Sequence, residues 1–97
     1  MIPLDKYADY IDIETLTRAG QYYYEGKIID IQWNENILSA EALGIETYQI
    51  KLTIVENNIA EHICSCPIDQ EDLCKHKVGL IIHLQEERLR KILDYEG

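Results

Sequence analysis

The apolar positions of this chain change period twice, and each change marks a boundary between elements. Ile13, Leu16, Ala19 and Tyr23 recur at spacings of three and four, the period of a helix with one buried face. Asp12 can cap its start and Gly26 is well placed to end it, so the pattern predicts a helix over residues 13 to 25. Ahead of it, Leu4 to Tyr10 reads as a short helical turn that packs an aromatic residue on the body. Past Gly26 the period becomes two: Ile29, Ile31 and Trp33 alternate with Asp30 and Gln32, as in a half-buried strand. Asn34-Glu35-Asn36 reads as a turn, and Ile37 to Leu43 as a second strand closed by Gly44. Tyr48, Ile50, Leu52 and Ile54 alternate with Gln49, Lys51 and Thr53, the clearest strand pattern in the chain. Asn57-Asn58 tolerates the positive φ of a tight hairpin, so Ile59 to Ile63 should return antiparallel and leave Cys64 at the strand end.

Residues 67 to 73 form a polar loop. From about Lys75 onward, Val78, Ile81, Ile82, Leu84, Leu89, Ile92 and Leu93 mark a long amphipathic helix. Its last turns carry Arg88, Arg90 and Lys91, cations that complement the helix dipole. The elements together predict an α+β fold with an N-terminal helix, an antiparallel sheet of about four strands and a C-terminal helix. With no linker, repeat or low-complexity tract, residues 1–97 read as a single domain whose core spans about 13–93.

Composition supports a folded chain: 46% of residues are hydrophobic and 28% charged, ordinary globular usage. A chain of this length buries roughly 60 to 70% of the surface that its unfolded form exposes, enough for one modest core. The apolar run from Val78 to Leu84 is far shorter than the roughly 20 residues a membrane-spanning helix needs. The start, Met1-Ile2-Pro3-Leu4-Asp5, lacks the basic and apolar regions of a secretory signal, so a reducing, cytoplasmic location is expected. Charge narrows the partners. With 18 acidic against 9 basic residues the net charge is −9, which repels phosphate backbones.

The chemistry is concentrated in one run, Cys64-Ser-Cys66-Pro-Ile-Asp-Gln-Glu-Asp-Leu-Cys74-Lys-His76. Residues two apart on a strand share a face, so Cys64 and Cys66 can offer both thiolates to one ion. The intervening loop can reverse direction and return Cys74 and His76 from the start of the helix. Three thiolates and one imidazole make a closed tetrahedral zinc site of the structural type, with no position left for substrate or water. The positive end of the helix and the adjacent Lys75 and Lys77 favour the thiolate form of Cys74. In a reducing compartment the paired spacing favours metal over a disulfide, which would also leave an odd thiol, and over cysteines that merely fill a core. His62 shares a strand face with Cys64 and is a minor alternative for the fourth ligand. His83 lies roughly 10.5 Å along the helix from His76, too far to share the ion. Gly79, one turn after His76, would let a neighbouring element approach closely.

Cys64, Cys66, Cys74 and His76 in this order resemble the SWIM zinc-finger pattern, Cys-x-Cys followed by Cys-x-His. The flanks agree: residues 18 to 28, Arg-Ala-Gly-Gln-Tyr-Tyr-Tyr-Glu-Gly-Lys-Ile, are similar to the family's tyrosine-rich helix end and following strand. Pro67 and Lys75-His76 also fit, and the resemblance covers about residues 13 to 85. Gly79, where alanine is common, and the acidic loop depart from it. The resemblance implies one structural Zn²⁺ and a role in binding, because SWIM domains of bacterial Swi/Snf-type helicases, MuDR-like transposases and eukaryotic signalling proteins engage DNA or other proteins. It fits a domain of a larger protein and a free-standing module alike.

A closed metal site and no nucleophile paired with a base argue against an enzyme. The expected function is a zinc-stabilised module for protein interaction. The alternative is DNA binding through the zinc-site face, with Lys75 and Lys77 as partner contacts and Tyr22 to Tyr24 as stacking groups. Asp69, Glu71 and Asp72 beside the site oppose that alternative, and the 100° helical rotation turns at least one of the three tyrosines into the core.

Overall fold

The computed structural model describes residues 1–67 and 73–96, with the backbone alone for 94–96. The expected loop lies largely outside the described residues, and Asp69, Glu71 and Asp72 with it. Helix α1 runs over Ile13–Tyr24, where the Asp12 side chain accepts a hydrogen bond from the Thr15 N–H at 2.7 Å. It ends before Gly26, whose φ of +76° suits a residue without Cβ. Four strands follow in meander order: β2 (Ile28–Asn34), β3 (Ile37–Leu43), β4 (Thr47–Val55) and β5 (Asn58–Cys64). A two-residue strand β1 (Ile2–Pro3) pairs with β5, so the antiparallel sheet has the order β1-β5-β4-β3-β2. A 3₁₀ segment, Leu4–Tyr10, leads from β1 toward α1 and buries Leu4. Helix α2, Lys75–Glu96, closes the fold.

Both faces of the sheet follow from alternation. On β3 and β4, Leu38 pairs with Leu52, Ala40 with Ile50 and Ala42 with Tyr48, and all but the half-buried Tyr48 are buried. The residues between them, Ser39, Glu41, Gln49, Lys51 and Thr53, form the opposite, polar face. Helix α2 covers the apolar face and α1 packs on α2. Val78, Leu80, Ile81 and Leu84 meet Ile50, Leu52 and Ile59 in one core.

Strand β2 departs from simple alternation. Ile29 pairs with Glu41 and Gln32 with Ser39, so Asp30 and Ile31 together face Ala40 in a bulge, with Asp30 at φ +51°. The extra residue exchanges the faces. Ile28 is buried beside Ala42, Ile29 shares the outer face with Glu41, and Ile31 and Trp33 turn back toward the core side. The last hairpin also differs by one residue from the expected turn. Its central residues are Glu56 and Asn57, at φ +50° and +66°, the signature of a type I′ turn, and Asn58 already belongs to β5.

Gly79 fixes how closely the last helix approaches. A Cβ there would lie 3.2 Å from Ile28 Cδ1 and 3.7 Å from the Ala19 carbonyl oxygen, so α2 rests against both α1 and β2 at this point. Gly79→Leu should therefore lower stability by about 1–3 kcal/mol through overpacking, despite the better helix propensity of leucine. Chemical denaturation with the m-value unchanged is the check.

Candidate metal centre

Two short stretches bring the four donors together. Strand β5 ends at Cys64, and a reciprocal pair of bonds holds the chain just beyond it. Ser65 N–H donates to the Gln49 carbonyl at 3.0 Å, and Gln49 N–H donates to Ser65 Oγ at 2.9 Å. Clamped this way, the chain carries Cys66 round to a buried position beside Cys64. On the other side, the Cys74 carbonyl accepts from Val78 N–H at 3.0 Å, the first turn of α2, so Cys74 sits at the helix start and His76 within that turn. Tertiary packing explains why this helix starts where it does: Val78, Leu80 and Ile81 are buried immediately after it.

The ligand atoms of Cys64, Cys66, Cys74 and His76 all lie within 4.8 Å of one another. His76 Nδ1 is 3.7 Å from Cys64 Sγ and 3.9 Å from Cys74 Sγ. A tetrahedral zinc with Zn–S of about 2.3 Å and Zn–N of about 2.0–2.1 Å sets an S···N edge of about 3.6 Å and an S···S edge of about 3.8 Å, so the two S···N distances already fit one ion and the 4.8 Å spread closes by about 1 Å on binding. Cys64, Cys66 and His76 are buried and Cys74 is partly exposed. All three cysteines are free thiols. The Cys64 thiol donates toward Cys74, which raises the pKa of Cys64, with burial adding to it, and lowers that of Cys74. His76 and the backbone N–H groups of His76 and Lys77 lower Cys74 further, as expected of a sulfur at a helix start.

Two aromatic rings fix the imidazole. Tyr22 meets His76 edge-on, with centroids 5.2 Å apart, and Tyr48 lies tilted against it at 5.0 Å. The Lys27 and Lys75 ammonium groups stand 5.4 Å and 5.5 Å from the centre of the Tyr22 ring. A cavity of about 250 Å³ opens beside the ligands, lined by Arg18, Leu73, Cys74 and Lys75 among others.

Histidines 62 and 83 stand apart from the cluster. His83 packs its ring against Tyr23 at 5.9 Å and lies 3.7 Å from a Glu87 carboxylate oxygen. His62 faces the helix side of the sheet, opposite Leu52, with Nδ1 2.9 Å from Lys77 Nζ. Lys77 corrects an expectation: it is fully buried, so its ammonium is not at the surface to meet a partner, whereas Lys75 is partly exposed. The sequence holds a signal for this, because Lys77, Ile81 and Leu84 recur at i, i+4 and i+7 and share one helix face. Tyr22 had a similar signal, three residues after the buried Ala19.

Compared with protein families, with curated proteins and with solved structures, the chain finds no match in any of the three. The metal centre therefore stands on its own geometry. Among the described residues no helix is long and apolar enough to cross a membrane.

The two lysines beside His76 should behave differently on substitution. Lys77→Ala removes a buried side chain and its charge and should cost about 2–5 kcal/mol, whereas Lys75→Ala should stay within about 0.5 kcal/mol. Parallel denaturation curves of the metal-loaded variants compare them directly.

Proposed function

We propose that this chain is a structural zinc module of the SWIM type, in which Cys64, Cys66, Cys74 and His76 hold one Zn²⁺ and the folded surface serves protein interaction. The observation that carries the metal reading is the convergence of three sulfurs and one imidazole nitrogen within 4.8 Å. That donor set is soft and closed, which suits zinc in an architectural role and leaves no ligand position for hydrolysis. Bound zinc would join the end of β5 to the start of α2. In small peptides such sites contribute on the order of 10–16 kcal/mol of apparent binding energy, comparable to the stability of a whole domain.

Protein interaction is favoured over nucleic acid by charge. The net −9 opposes phosphate, and the burial of Lys77 leaves Lys75 as the one surface cation of the two beside His76. The order Cys-x-Cys then Cys-x-His resembles that of SWIM domains in bacterial Swi/Snf-type helicases and MuDR-like transposases, which engage DNA or other proteins, and supports a binding role.

Elemental analysis should give about one zinc per chain, and Cys74→Ser and His76→Ala should each lose it. Unchanged zinc in both variants would refute the ligand set. A gel-shift titration of the zinc-loaded protein at low salt should show no DNA complex, and a salt-sensitive shift would transfer the preference to nucleic acid.

A further inference from the structure

Helix α2 outruns the fold that it closes. Helix α1 ends at Tyr24, whose hydroxyl donates to Glu86, so residues 87–96, about 15 Å of helix, extend past it. Just before that point one face of α2 is still covered: Ile82 packs against the core, and Gln85 donates to the Leu4 carbonyl at 2.7 Å. Leu89 and Ile92 lie seven residues after those two and continue the same face, with Leu93 beside them. There the cover stops, and Leu89, Ile92 and Leu93 are 57%, 56% and 59% exposed.

Positive charge gathers at the same place. Arg88, Arg90 and Lys91 are three of the nine basic residues, set within four positions of a chain whose net charge is −9. The dipole of α2 does not account for them, because its effect is confined to about the last turn, and that turn carries no basic residue. Arg88 donates to Asn57 in the turn between β4 and β5, whereas Arg90 and Lys91 are exposed and, among the described residues, in no ion pair. The neighbouring carboxylates are engaged elsewhere, Glu86 with Tyr24 and Glu87 with His83.

We propose that the projecting end of α2 is a docking arm for an acidic amphipathic helix of a partner protein, whose apolar face covers Leu89, Ile92 and Leu93 and whose flanking carboxylates meet Arg90 and Lys91. The inference deepens the protein-interaction reading above and rests on it, though not on the metal. Apolar side chains at i, i+3 and i+4 are the anchors by which one helix seats against another. Charge selects the occupant. A second copy brings −9 against −9, and a nucleic acid or an anionic bilayer meets the same repulsion over its whole face. A partner helix with carboxylates only beside its apolar stripe places them at the cations alone.

The test measures fluorescence anisotropy of two labelled synthetic helical peptides added to the zinc-loaded protein. Both carry a leucine stripe at helical spacing, flanked by glutamates in one and by lysines in the other. The glutamate peptide should bind saturably, and at least about tenfold more tightly than the lysine peptide at low salt. Leu89→Ser with Ile92→Ser should weaken it by about tenfold or more at an unchanged melting temperature, because both side chains are exposed. Arg90→Glu with Lys91→Glu should reverse the preference between the peptides, which a loosened helix end would not do. No binding of the glutamate peptide, equal binding of both, wild-type affinity in the serine variant or an unreversed preference would each overturn the proposal. Binding to vesicles that contain anionic lipid, or a dimer that the serine variant abolishes in sedimentation equilibrium, would overturn it too by naming another occupant. A DNA complex in the gel-shift titration would instead overturn the protein-interaction reading, so the two failures are separable.

Discussion

The end of β5 and the beginning of α2 have to lie within a few ångströms of each other, because three sulfurs and one nitrogen from those two places share a space 4.8 Å across. Most of the packing is consistent with that requirement. The Gln49–Ser65 pair of bonds holds the strand end, and Gly79 lets α2 settle against Ile28 and α1 at the height where His76 reaches the sulfurs. The rings of Tyr22 and Tyr48 approach the imidazole from α1 and from β4. The centre is thus built from β5 and α2 and supported by α1 and β4 through their tyrosines and by β2 through Ile28.

Burial explains why such a small chain can sustain this arrangement. Leu38, Ile50, Leu52, Ile59, Leu80 and Ile81 are almost fully buried, and each would cost about 2–5 kcal/mol on truncation to alanine. Among them lies Lys77, a charged side chain in the same layer, beside His62. A buried ammonium is tolerated only with polar partners in place, so this part of the interface between helix and sheet is specified more narrowly than an apolar contact would be. The start of α2 accordingly has two independent reasons to sit where it does.

Much of this was legible in the sequence, and the failures have local causes. Helix α1 was readable because Asp12 caps it and Gly26 ends it, and β4 because Ile50, Leu52 and Ile54 alternate without interruption. The four donors were readable because their spacing has few other uses. The bulge at Asp30 was not, because alternation continues through the sequence while the backbone inserts one residue and exchanges the faces of β2. Strand β1 was invisible for another reason: two residues, one of them proline, carry no period, and their place is fixed by pairing with Asn58 and Ile59. Lys77 misled because charge outweighed position, although its spacing from Ile81 and Leu84 put it on the buried face.

The order of these parts along the chain has a consequence for biosynthesis. Tyr22, Ile28 and Tyr48, against which the donors and the first turns of α2 rest, precede residue 64, while Cys74, His76 and Gly79 come near the end. A growing polypeptide emerges from the ribosome N-terminus first, so the hairpins and the tyrosine-bearing helix are available before the ligand set is complete. A metal held by these four donors would then join strand to helix only after the residues it rests against have been made, as a latch is thrown last.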